Sequence, residues 1–355
     1  MDVDSTETGS SLTSFISQPM QLFIEDTDAY GVKYNANYIR SYERALHQFH
    51  CNFNAQLIDE SNDADADTDT DTDADADIGV LLSHSDFYLT GVTLHKFKAS
   101  PALGSPYVIT AKQIAPMAMP DSYNMDTDEQ VEYWSLEMLE YQHEQELLQK
   151  PKVYNTAIVT ISQPNAPPTT GSNPSSTRTT TKPIQPFPVA NENNENVPKH
   201  KSQLSAFTLY RDEFDFHMPG VIPIKTALNL FERSRSNSLG GPAKLRQMQE
   251  EDNILWVVTS IDDLQIDVRN LVQPGQEVRV RSHFAIKRKG MIIECRQEVL
   301  VINTPSRRKC EDKDYEEMGD DVVVLAQGVV TLCAIDSIKG RPTSNIPDRV
   351  RALLE

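Results

Sequence analysis

Asp28 stands three residues before Gly31, just ahead of a run in which Tyr38, Tyr42, Ala45, Phe49 and Phe53 recur at helical spacing. Gly31 permits a sharp turn, and the first helical N–H groups, near Tyr34 and Asn35, have no intrahelical acceptor. Donors so placed, with the positive end of a helix dipole behind them, can polarise a carbonyl and hold the oxyanion that develops on attack. A carboxylate beside that point can activate water or attack the carbonyl itself, and sequence does not separate the two roles. Asp28 equally fits a plainer part as an N-cap or Asx-turn residue, because Asp is common before helices. Asp26 reads as a turn acceptor, and Tyr38 and Tyr42 read as core by their spacing.

The elements that must position these groups occur twice. Gly31-Val32 followed by Tyr42-Glu43-Arg44-Ala45 is matched, 189 residues on, by Gly220-Val221 and Phe231-Glu232-Arg233-Ser234. Gly104 is matched by Gly275, and Ala157–Thr160 by Gly328–Thr331, now at an offset of 171. The offset falls by 18 across an acidic insert at 62–77, so one duplication and one insertion account for the pattern. In each copy a short strand (Met20–Glu25, Ala206–Arg211) leads through the Gly turn into a helix, and strands follow. The first copy predicts Phe87–Lys98, Tyr107–Ala115, Val131–Tyr141 and Val153–Ser162. The second predicts Glu277–Phe284, with Val278, Val280 and Phe284 on one face, then a turn at Lys287–Gly290, Met291–Ile302 and Val322–Asp336. A helix packed on one face of about four antiparallel strands is an α+β unit.

The chain has 355 residues, 52 Asp+Glu against 33 Lys+Arg, and a formal charge of -19. That length predicts two domains, and that balance disfavours nucleic acid, whose phosphates need a basic surface. Eight of the acids are the alternating aspartates Asp63 to Asp77, a self-repelling run expected to stay disordered. It does not make a calcium loop: Ile78 and His84 occupy the places of the turn Gly and the bidentate Glu. A second disordered stretch, 164–203, is rich in Pro, Ser, Thr and Asn and reads as a linker. The expected organisation is a disordered tail at 1–17, a first domain at 18–163, the linker, and a second domain at 204–355. Cys51, Cys295, Cys310 and Cys333 form no CxxC pair and read as reduced thiols. No apolar run reaches the ~20 residues a membrane span needs. The acidic N-terminus resembles neither a signal nor a transit peptide, which points to the cytoplasm. No serine-hydrolase elbow, H-E-x-x-H, P-loop or Rossmann glycine pattern occurs. His47 and His50 sit at i, i+3, but further zinc ligands are not evident.

Glu25-Asp26-Thr27-Asp28-Ala29-Tyr30-Gly31-Val32-Lys33-Tyr34-Asn35-Ala36-Asn37-Tyr38, with Tyr42-Glu43-Arg44-Ala45 behind it, resembles the motif of the 4-hydroxybenzoyl-CoA thioesterase family of the hot-dog fold. The resemblance implies tandem hot-dog domains, each a central helix wrapped by an antiparallel sheet, paired as an intrachain pseudo-dimer. It implies hydrolysis of acyl- or aryl-CoA thioesters to free acid and CoA, with no cofactor or metal. The family's catalytic carboxylate maps to Asp28; the helix-start amides near Tyr34 and Asn35 would then form the oxyanion hole, with Gly31 and the core-spaced Tyr38 as candidates to border the substrate. The family site lies between paired units, so copy two would supply the wall opposite Asp28; homo-oligomers of tandem units stay open.

Two departures bear on activity. Many relatives carry His where this chain has Asn35, and Lys33 replaces a Val. In copy two, His217, Pro223, Ile224 and Ala227 stand at the places of Asp28, Tyr34, Asn35 and Tyr38, so that copy reads as degenerate. Arg279, Arg281, Lys287 and Arg288 form the basic run expected to meet the CoA phosphates, the alternative being a solvated hairpin tip. The rival to an enzyme is a non-catalytic acyl-CoA-binding or scaffold protein of the same fold.

Overall fold

Val278, Val280, Ser282 and Phe284 are buried, while Arg279, Arg281, His283 and Ala285 between them are half-exposed, so this strand has an inner and an outer face. The same logic builds most of the protein. The computed structural model describes residues 14–23, 35–64, 87–114, 131–142, 150–162, 184, 186–187, 202–214, 220–303, 321–344 and 346–354. Among these, the first half contributes β1 (Ser14–Ile16), β2 (Met20–Gln21), α1 (Asn35–Ala64), β3 (Tyr88–Phe97), β4 (Pro106–Ile114), β5 (Val131–Glu140) and β6 (Val153–Ser162). The second contributes β7 (Ser202–Thr208), α2 (Ile224–Ser238), α3 (Gly241–Asp252), β8 (Ile254–Ile266), β9 (Glu277–Lys287), β10 (Ile292–Asn303), β11 (Asp321–Asp336), β12 (Arg341–Pro342) and α4 (Asp348–Leu354).

All twelve strands join one antiparallel sheet in the order β1-β4-β5-β6-β3-β8-β11-β10-β9-β7, with β2 also on β4 and β12 on β11. The order reads alike from both ends: β4-β5-β6-β3 is reflected as β9-β10-β11-β8. The halves meet where β3 pairs with β8, Gly91 opposite Gln265 and Lys96 opposite Ser260. Equivalent contacts recur on either side of this seam. The Gly104 N–H donates to Leu22 O at 2.9 Å, and the Gly275 N–H to Leu209 O at 2.8 Å, with both leucines fully buried. Helices α1 and α2 touch each other, and the buried apolar side chains of both halves form one continuous cluster. Hydrophobic burial therefore does not stop at the seam.

The seam tolerates little bulk. A Cβ at Gly91 would stand 3.2 Å from the Leu264 carbonyl oxygen and 3.5 Å from Thr160 Oγ1. Gly91→Ala is expected to destabilise the protein by about 1–3 kcal/mol through overpacking. Urea unfolding checks this as a lower midpoint at unchanged m-value; an unmoved midpoint would mean that the β3–β8 pairing yields freely.

Several boundaries differ from the sequence expectation. The fold begins before residue 18: Ser14–Ile16 pair with β4, and Ser17 Oγ accepts the Ile109 N–H at 3.0 Å. Helix α1 runs into the acidic insert as far as Ala64. Within the expected linker, the Phe187 N–H donates to Glu298 Oε1 at 2.6 Å. Helix α3 and strand β8 were not expected. Gly240 at φ 91°, with Pro242 in the first turn, starts α3 where such residues read as a loop. The rest of the tail, insert and linker lies outside the described residues, as do Asp26, Asp28, Gly31, Lys33, Tyr34, Cys310 and His217.

Candidate functional site

Helix α1 opens at Asn35, directly behind the Asp28–Gly31–Tyr34 segment. No acidic residue occupies its first turn, so the amide donors at this end meet no carboxylate from the helix itself. Ala36, Asn37 and Tyr38 are buried at 0, 7 and 2% exposure, which places the helix start inside the molecule. Tyr38 meets Phe97 edge-on at 5.1 Å between ring centroids, and its hydroxyl donates to Ala99 O at 3.3 Å. The first turn of α1 thus rests on the end of β3, the strand at the seam. Across it, Ser260 of β8 faces Lys96, and the Ser260 hydroxyl donates to Asp262 Oδ2 at 2.7 Å. The second half is therefore adjacent to the place where the motif enters α1.

One turn further, Tyr42 is fully buried and its hydroxyl donates to Asn155 Oδ1. Burial, helped by Tyr38 and Glu137, holds its phenol well above the usual tyrosine range, so it stays protonated. The Ser41 and Tyr107 hydroxyls share a buried hydrogen bond at 3.0 Å. Tyr38 and Tyr42 are core residues, as their spacing predicts.

The second half closes its own helix start. Gly220, at the place of Gly31, has φ 90° and its O accepts the Val272 N–H at 2.9 Å. A Cβ there would lie 3.1 Å from Val272 O, so both the backbone angle and the space require glycine. Thr226 Oγ1 donates to Glu213 O at 2.7 Å, and Arg233 of α2 pairs with Glu213 at 2.9 Å. A 3-10 turn at Arg211–Glu213 thus packs over the start of α2.

The expected basic patch does not stand free. Arg279 pairs with Glu277 at 3.2 Å, Arg281 with the fully buried Glu298 at 2.6 Å, and Lys287 with Glu294. Arg279 and Arg281 alternate with core-facing Val278 and Val280, so they lie on the sheet face away from α2. Phe187 covers part of that face, its ring 6.0 Å from the Arg296 guanidinium. Of the three paired cations, Arg281 is the most enclosed, while Arg279 and Lys287 keep exposed side chains. Arg288 and Lys289 remain exposed at the hairpin tip, both at positive φ (51 and 58°).

His47 and His50 are packing groups. Both stack on Phe87, at 4.3 and 4.7 Å between centroids, and His50 also meets Phe49 and Trp134. Among the described residues no cluster of His, Cys, Asp or Glu could hold a metal ion. His50 Nε2 is buried with no hydrogen-bond partner, and desolvation lowers its pKa despite the opposing charge of Glu132. A base with a lowered folded pKa is protonated first in the unfolded chain, so stability should fall as pH drops below about 6.5 toward the folded value. Urea midpoints at pH 7.5 and 5.5 should show this fall, and His50→Phe should flatten it. An equal slope in the variant would assign the effect to other groups.

Among the described residues no helix is long and apolar enough to cross a membrane. No family model and no curated relative matches the chain. Solved structures similar to it include a 12:0-ACP thioesterase from Umbellularia californica, at 7% identity and TM-score 0.46 over 90% of this chain and 94% of that one. An acyl-ACP thioesterase from Bacteroides thetaiotaomicron is similar at 9% identity and TM-score 0.40, over 90% and 97%. A 1,4-dihydroxy-2-naphthoyl-CoA thioesterase from Synechocystis is similar at 10% identity and TM-score 0.33, over 43% of this chain and 95% of that one. A large antiparallel sheet carrying helices fits the hot-dog architecture expected from the motif.

Proposed function

We propose that this chain hydrolyses acyl- or aryl-CoA thioesters as two hot-dog units paired within one chain. Asp28 acts as general base or nucleophile, and the first amides of α1, near Tyr34 and Asn35, hold the oxyanion. Gly31 is the residue assigned to the turn between the carboxylate and that helix end; at its place in the other half Gly220 has φ 90°. One observation carries the reading: α1 opens directly behind the Asp28–Gly31–Tyr34 register, and its first turn packs on the strand at which the halves join. A substrate held there would lie between the two units. Arg279, Arg281, Lys287 and Arg288 are the candidates for the CoA phosphates, Lys287 and Arg288 being exposed at the β9–β10 hairpin. The pairing of the second half explains why a copy with a closed helix start and no carboxylate at the Asp28 place would persist.

The test is free-thiol release from a panel of acyl- and aryl-CoA thioesters, wild type against Asp28→Asn. A chain that binds a thioester and releases none would be a binding protein of this fold.

A further inference from the structure

Four buried positions distinguish the second half from the first. Ala45 and Leu46 of α1 share a buried cluster with Ala111 of β4 and Leu136 of β5, a neighbouring cross-strand pair, and all four are at most 2% exposed. The corresponding residues of the second half are Ser234 and Arg235 on α2, Ser282 on β9 and Gln297 on β10, the last two again opposite each other. Every one has changed from apolar to polar, and all remain buried, Arg235 at 6% exposure and the others at 0%. Two bulky neighbours have shrunk as well. Phe49 and Trp134, which pack edge to face in the first half, correspond to Ser238 and Cys295.

The polar side chains form a directed network. Arg235 Nη1 donates to Gln297 Oε1 at 2.6 Å. Gln297 Nε2 donates to Phe231 O and Ser282 Oγ, each at 2.9 Å, and the Ser282 and Ser234 hydroxyls share a bond at 3.0 Å. Both Nε2 hydrogens of Gln297 are thereby used, and its Oε1 accepts one bond. The guanidinium has one protein acceptor among the described residues, and its other nitrogens are not among the enclosed polar atoms left without a partner, so they open onto accessible space. Its charge also has no counterpart among the described residues. Glu294 and Glu298 flank Gln297 on β10 but project to the opposite face, where Lys287 and Arg281 hold them. Cys295, on the same face as Gln297, has its thiol pushed up to about 12 by burial and supplies no anion at neutral pH.

A buried cation needs a paired charge as well as hydrogen bonds. We propose that Arg235, oriented by Gln297, is a carboxylate-binding site inside the second half. The planar fork of a guanidinium matches a carboxylate by two parallel bonds, and a single positive charge suits a monoanion better than a phosphate. The ligand is the carboxylate of a free small acid or the far carboxylate of a dicarboxylic acyl group. The site does not depend on thioester hydrolysis.

The test reads binding and not turnover. Titration calorimetry on the full chain compares succinate, glutarate and adipate with their neutral diamides, and glutaryl-CoA with pentanoyl-CoA. Wild type should favour the charged member of at least one comparison. Selective binding of the free acids identifies a free acid as the ligand, and discrimination confined to the CoA pair identifies an acyl group. Arg235→Leu combined with Gln297→Leu restores the apolar pattern of the first half, so it should fold, and its affinity for the carboxylate should fall by roughly 30-fold or more. Equal binding of charged and neutral members by wild type would overturn the proposal, as would undiminished carboxylate binding by the folded double variant.

Discussion

Asp28→Asn should lower turnover with acyl-CoA thioesters by two or more orders of magnitude while leaving the fold and substrate binding nearly unchanged. The amide has the shape of the carboxylate but can neither take a proton from water nor attack a carbonyl. Loss of a positioned general base costs typically about 10²–10⁴-fold, and loss of a nucleophile at least as much. The substitution also separates the two readings of Asp28. Asn caps a helix about as well as Asp, so a purely structural Asp28 predicts unchanged rate and unchanged stability. A catalytic Asp28 predicts a collapsed kcat at similar KM and an unshifted urea midpoint. Turnover that survives intact would place the chemistry elsewhere in the chain, and His217, at the corresponding place in the second half, would be tested next.

Trp134→Ala carries the largest expected cost in stability. Trp134 is 1% exposed, packs edge to face with Phe49 at 5.0 Å, and donates its indole N–H to Glu132 Oε2 at 2.9 Å. Removing a buried indole leaves a cavity between α1 and β5 and costs about 3–5 kcal/mol, against a usual total of about 5–15. Trp134→Phe keeps much of the ring contact and should cost less. The chain contains two tryptophans, Trp134 and Trp256, so the alanine variant retains one fluorophore, in the second half. Because the buried core runs through both halves, Trp256 fluorescence should shift to lower urea together with the far-UV circular dichroism. A Trp256 transition left at its wild-type midpoint would show that the halves unfold separately.

The parts of this molecule legible in its sequence are those with a clean period. Val153–Ser162 is a strand with the expected bounds, and Tyr38, Tyr42 and Ala45 are buried on one helix face as their spacing requires. Strand β8 was not legible for a physical reason. It pairs on both sides, with β3 and β11, and its register slips twice against β11, so its burial follows no period of two. Asp263 within it has φ 51°, and polar Ser260, Asp262 and Asp263 interrupt its apolar run. The arginine at 235 was hidden differently. A charged residue on a helix reads as its solvent side, and only the pairing of β9 with β10 reveals that this one faces Gln297 inside. For the catalytic candidate, residue types and spacing supply the chemistry, while the structure adds the start of α1 and its nearness to the seam.

The β3–β8 seam also bears on how the chain is made. Roughly 160 residues separate the end of β3 from the start of β8, so at about 5–20 residues per second the ribosome takes some 8–30 s to deliver the second strand after the first. Once β6 has been made, the nascent first half presents β3 as an unpaired edge for the rest of that interval, a template for any other extended chain nearby. Gly91–Lys96 is thus a surface of the newborn protein and an interior of the finished one. Slow synthesis beyond Phe97, or a high local density of ribosomes on one message, would favour pairing between neighbouring nascent chains over pairing within one.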